Sequence, residues 1–129
     1  MKIDHIAIWT NNLEGMQHFY MHYFDACSNE AYYNHSKDFR SYFLRFDGDC
    51  TMELMQMPGV AQSKNDPKKQ YTGMIHLAIK VGSKMKVDQL TNLLRSDGFH
   101  IVGEPRNTGD GHYISVVLDP EGNKVEIVA

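Results

Sequence analysis

At 129 residues and 14.8 kDa the chain suffices for one ordinary domain, or two small interlocked modules, with a hydrophobic core that needs no staples. An apolar fraction of 42%, a charged fraction of 22% and a net charge of -3 describe a globular chain. They exclude a disordered tail and the basic footprint of a nucleic-acid binder. Only Cys27 and Cys50 are present, which excludes a disulfide scaffold or a Cys-rich metal site; both read as small buried hydrophobes. The opening MKIDHIAIW lacks the character of a secretory signal, and no apolar run approaches the roughly 18 residues of a membrane span. A cytoplasmic location with no membrane and no nucleic-acid partner is expected.

The first element is a strand over 2–9, KIDHIAIW, with one imidazole among small and apolar neighbours. Asn11 or Asn12 then caps a helix whose apolar stripe is Leu13, Met16, Phe19 or Tyr20, and Tyr23. Three strands follow, over 27–34, 40–46 and 50–57, the last two joined by the turn Asp47-Gly48-Asp49. Residues 58–73, rich in Pro, Gly, Lys and Asn, form a loop. It is long for a compact domain, which fits either a site-covering loop or a crossover that lets halves pair between chains.

The order then repeats. MIHLAIKV at 74–81 aligns on the first strand with His76 over His5, an offset of 71 (76 − 5). Ser83 caps a second helix with Val87, Leu90 and Leu94 on one face and Gly98 as its stop. Strands over 99–105, 112–118 and 123–128 complete it, with Glu126 over Glu53 at an offset of 73 (126 − 53). The expected fold is therefore α+β: one domain over 1–129 made of two βαβββ modules, 1–57 and 74–129, joined by loop 58–73.

Each module supplies one histidine near the start of its first strand and one glutamate in its last. His5, Glu53, His76 and Glu126 make a mixed N/O set suited to Zn, Ni, Co, Mn or Fe. If the four converge, coordination positions remain for water or substrate oxygens, as in a catalytic rather than a closed structural site.

The motifs D-H-I-A-I at 4–8, M-E-L at 52–54, I-H-L-A-I at 75–79 and D-P-E-G-N-K-V-E-I at 119–127 resemble the vicinal oxygen chelate superfamily. That group includes glyoxalase I, bleomycin- and fosfomycin-resistance proteins, extradiol dioxygenases and methylmalonyl-CoA epimerase. The resemblance runs from Lys2 to Val128 and is closest to glyoxalase I, whose His/Glu/His/Glu set falls on His5, Glu53, His76 and Glu126. It implies curved mixed sheets around a metal-containing, barrel-like cavity, one divalent ion per chain, and a homodimer, in some members with the metal shared between subunits. It further implies lyase or isomerase chemistry through an enediolate on a small vicinally oxygenated substrate, with Glu126 as proton shuttle and Glu53 as second candidate.

Substrate recognition departs from that pattern. Glyoxalase I enzymes commonly carry an arginine four residues after the first histidine and an asparagine four after the first glutamate; Trp9 and Met57 stand there. Neither replaces a guanidinium, so a glutathione conjugate is not the expected substrate. Trp9, Met57 and Phe46 offer an apolar wall instead. Arg106, in the polar loop RNTGDG, and Tyr113 are further pocket candidates, as are Tyr32, Tyr33 and His35. His18 and His22, an i,i+4 pair, read as a solvated helix face. Two other readings stay open: a metal-dependent epimerase, and a non-catalytic protein that binds a small drug-like molecule.

Overall fold

A computed structural model describes every residue from Met1 to Ala129. Two side-chain caps start its helices. Asn12 Oδ1 accepts from the Gly15 N–H at 3.0 Å and opens α1, Leu13–Phe24. Ser83 Oγ accepts from the Lys86 N–H at 3.2 Å and opens α2, Lys84–Ser96. Each cap satisfies a donor that the first helical turn leaves without a partner. At the other end of α2, Gly98 sits at φ +90. Its N–H reaches Arg95 O at 3.1 Å while Phe99 N–H reaches Leu94 O at 2.9 Å, the paired bonds of a glycine-terminated helix. The corresponding stop of α1 is Asp25, at φ 54 without being glycine.

The chain divides into two compact units, Met1–Ser63 and Lys64–Ala129. In the first, β1 (His5–Trp9), α1, β2 (Cys27–Ser28), β3 (Tyr32–Asn34), β4 (Phe39–Arg45) and β5 (Thr51–Gln56) follow in order. The sheet runs β1-β5-β4-β2, with β3 also on β4. In the second, β6 (Leu77–Lys80), α2, β7 (Ile101–Asn107), β8 (Tyr113–Leu118) and β9 (Lys124–Val128) build a sheet in the order β6-β9-β8-β7. Both sheets are mixed: β1 pairs parallel with β5 and β6 with β9, and the other pairs are antiparallel.

One face of each sheet is sealed by its helix. In the first unit Leu13, Met16, Phe19 and Tyr20 of α1 are buried, as are Leu44, Met52 and Leu54 of the sheet. In the second, Val87 and Leu94 of α2 are buried, as are Val117, Val125 and Ile127. Each such side chain stabilises its unit by about 1.5–3 kcal/mol. Thr91 lies inside this second core. Its hydroxyl donates to Val87 O at 2.6 Å and stands 2.6 Å from Ser115 Oγ, so Ser115 must be the donor to Thr91. The apolar stripe read from sequence skipped this residue because a threonine does not score as apolar.

Several boundaries differ from expectation. The strand expected over 27–34 is two short strands: Asn29 N–H still donates to Phe43 O at 3.2 Å, but its side-chain Oδ1 takes the Phe43 N–H at 2.8 Å, and pairing resumes only at Tyr32 opposite Ser41. The strand expected over 74–81 begins only at Leu77. Cys27 and Cys50 are exposed, not buried. Loop 58–73 contains no helix or strand, and the division between units falls inside it. Neither sheet closes on itself, so neither unit alone forms the barrel-like cavity. No helix is long and apolar enough to cross a membrane.

Candidate metal centre and substrate face

Strand register brings the ligand candidates onto the sheet faces that the helices leave open. Ala7 lies opposite Glu53, and Ala78 opposite Glu126. His5 and His76 each precede their alanine by two residues, and residues two apart in extended chain share a face. In the second unit the pair meets: His76 Nε2 lies 3.4 Å from Glu126 Oε2. Glu126 is the more enclosed partner, with 19% of its side chain exposed against 44% for His76. Two atoms at that separation can both lie about 2.1 Å from one ion. In the first unit His5 turns Nδ1 to Asp4 Oδ2 at 2.9 Å, leaving Nε2 for another partner. A carboxylate on the second ring nitrogen is the usual way a ligating imidazole is oriented. His5 also sets its ring edge-on to Phe43 at 5.9 Å.

Within neither unit do three or more His, Cys, Asp or Glu side chains gather into a metal-holding group. Each unit presents one imidazole and one carboxylate. That donor chemistry fits a divalent first-row ion.

Around Glu53 the open face is aromatic. Phe43 lies opposite Glu53, and the next row along the strands is Trp9, Met55 and Ser41. Trp9 meets Phe39 edge-on at 6.0 Å, and Tyr32 meets Phe39 at 6.2 Å. Met57 follows β5 half-buried. Phe46 belongs to the other side, packed on the buried Tyr20 at 6.3 Å. Tyr33 donates to Asp38 at 2.7 Å, which raises its pKa, and its ring meets His35 at 4.2 Å. Arg40 points to the helix side, where Glu14 (2.8 Å) and Gln56 (3.1 Å) hold its guanidinium.

The face around Glu126 has Val116 opposite it and Ile114 opposite Val128, with Lys124 two residues before it and Lys80 opposite Val128. Arg106, paired with Ile114 across a bulged β7, shares this side; its Nη1 donates to Glu104 O at 3.2 Å. Tyr113 does not. It donates to Asp88 Oδ1 at 2.8 Å beneath the Lys84 ammonium, 5.2 Å from the ring centroid, and so faces α2. The Asp88 hydrogen bond holds its phenol pKa above the usual value. His18 and His22 stack at 5.3 Å on the exposed side of α1.

Sequence reading missed Asp4, Phe39 and Phe43. The alternation of RSYFLRF, read in register with MELM, would have set Phe43 beside Glu53, but that register has no signature in the residues themselves. The motif at 119–122 holds its own turn together. There the buried Asp119 carboxylate accepts from the N–H groups of Glu121 and Asn123 and from the Asn123 amide.

The sequence matches the family model described as Glyoxalase/Bleomycin resistance protein/Dioxygenase superfamily over residues 2–127. Among curated proteins it is 42% identical over 60 residues to the uncharacterized protein YqjT of Bacillus subtilis (strain 168), a stretch covering 44% of this chain and 47% of that one. Among solved structures, glyoxalase I from Zea mays superposes with a TM-score of 0.77 at 22% identity, over 98% of this chain and 44% of the maize chain. The trypanothione-dependent glyoxalase I of Leishmania major gives 0.75 at 20% identity, over 99% and 86%. The chain thus spans about half the length of the first two, and the two structural likenesses establish the fold.

Proposed function

This chain belongs to the Glyoxalase/Bleomycin resistance protein/Dioxygenase superfamily, and within it we propose a divalent-metal-dependent lyase or isomerase of the glyoxalase I type. Its substrate is a small compound with two adjacent oxygens, and not a glutathione conjugate. The observation that carries this reading is the His76–Glu126 pair at 3.4 Å, repeated in strand register by His5 and Glu53. The ion held by His5, Glu53, His76 and Glu126 would be Ni, Zn, Co, Mn or Fe, one per chain. When bound, it supplies positive charge that lowers the cost of building negative charge on the substrate oxygens.

The protein's own part is proton movement and selection. Glu126 takes a proton from the hydroxyl-bearing carbon and returns it to the neighbouring carbonyl carbon, while the hydroxyl proton passes to the former carbonyl oxygen, with Glu53 as the second base. Asp4 keeps the His5 ring oriented. Trp9 and Met57 stand where a carboxylate-binding pair would be needed for a tripeptide conjugate, and Arg106 shares the Glu126 face with Lys80 and Lys124. We place the active form in a homodimer, the commonest closed assembly; sedimentation equilibrium should return about twice 14.8 kDa.

The test is elemental analysis of the natively purified protein and of samples incubated with Ni, Co or Zn, joined to deuterium uptake from heavy water by a panel of hydroxyketones. About one equivalent of metal and metal-dependent exchange are expected. An epimerase would exchange without net rearrangement. Binding with neither metal nor exchange would establish the small-molecule-binding reading, which the exposed Trp9 and Tyr32 favour.

A further inference from the structure

We propose that Trp9, Phe39 and Tyr32 form a subsite for an aromatic ring, so that the substrate is an aryl-substituted compound whose two vicinal oxygens lie at Glu53. This rests on the metal-centre reading above and names the substrate class it leaves open.

The two aromatic clusters of the first unit behave differently. Phe19, Tyr20 and Phe24 on the helix side are 0–8% exposed and belong to the core. On the open face Trp9 is 41% and Tyr32 54% exposed, yet both are already ordered against Phe39 in edge-to-face and tilted contacts. Ser41, between them in register and only 1% exposed, provides a small floor among large walls. Such walls offer both ring faces and ring edges to a guest, an arrangement that favours an aromatic ring over an alkyl chain of equal area.

Position supplies the link to the chemistry. The row Trp9–Met55–Ser41 is one step of two residues from the row Ala7–Glu53–Phe43, about 7 Å along the strands. A phenyl group attached directly to the oxygenated carbons spans that step. Charge argues the same way. Arg40 is tied to Glu14 on the opposite side. Arg45, the arginine of β4 that shares the Glu53 face, lies level with Thr51, at the end away from Trp9. Neither arginine of β4 therefore stands at the aromatic end.

The experiment compares 2-hydroxyacetophenone with hydroxyacetone, which share their oxygens and differ in phenyl against methyl. Calorimetry measures both affinities on the full chain, once with chelator and once with added Ni. The indole N–H resonance of Trp9, the single tryptophan, locates the ligand. The aryl compound should bind at least about 10-fold tighter and shift the indole resonance. Phe39→Leu and Trp9→Leu should bring the ratio to within about 3-fold by weakening the aryl compound, and Met21→Leu, on the exposed side of α1, should leave the ratio unchanged. Equal affinities, or a preference that survives both substitutions, would overturn the proposal. So would an indole resonance that moves with protein concentration but not with ligand, which would assign the cluster to a contact between copies. A preference that persists in a protein that takes up no added Ni would sink the metal centre and leave the subsite standing. Metal binding without any aryl preference would do the reverse.

Discussion

The two units share a frame and differ in what they hang on it. Ala7 faces Glu53 as Ala78 faces Glu126, each helix starts on a side-chain cap, and each first strand pairs parallel with its last. Yet the first unit surrounds its carboxylate with Trp9, Phe39 and Phe43, and the second with Val116, Val128 and Ile114. The histidines diverge too: His76 reaches its own unit's glutamate, while His5 is held by Asp4. The two units thus carry the same donor types on unlike walls.

The sharpest way to break this comparison is to treat the glutamates alike. Glu126→Gln should lower deuterium exchange by about 100-fold or more, because an amide cannot serve as the base. Glu53→Gln should cost less, with metal content measured in both variants. The opposite ranking would move proton transfer to the first unit. Next come the imidazoles. His76→Ala and His5→Ala should each bring metal well below about one equivalent by elemental analysis. Asp4→Asn should weaken affinity by about 10-fold, through ring orientation alone.

Core substitutions ask whether the frames are equally robust. Leu54→Ala and Leu94→Ala, both at fully buried sites, should each cost about 2–5 kcal/mol in denaturant unfolding. Two separated transitions would show the units melting independently. The smallest effect tests the helix stops. Gly98→Ala, forced to φ +90, should lose about 1 kcal/mol, while Asp25→Gly should gain up to about 1 kcal/mol. Opposite signs at equivalent positions are the expected thermal-shift result.

Much of this frame was legible because it rests on local chemistry. A cap needs Asn or Ser, a left-handed stop favours Gly, and both helices and the repeat could be placed from those residues and the apolar spacing. The ligand candidates were legible because two modules carried the same donors. What the sequence hid depends on register and on side-chain competition. Asn29 replaces a ladder bond with its own amide oxygen, so one strand became two. Tyr113 lies one residue off the Glu126 face, and one residue inverts the side of a strand. Phe46 and Phe43 differ by three positions and stand on opposite faces for the same reason.

The parallel pairing of β1 with β5, and of β6 with β9, carries a kinetic meaning. Strands joined this way cannot zip from a hairpin; the helix and every intervening strand must be threaded between them first. The histidine and the glutamate of a module are thus among its last neighbours to meet as the chain folds. A half-made module offers an incoming ion single, separated donors and no pair. If the pair holds an ion as proposed, capture waits until the sheet is complete.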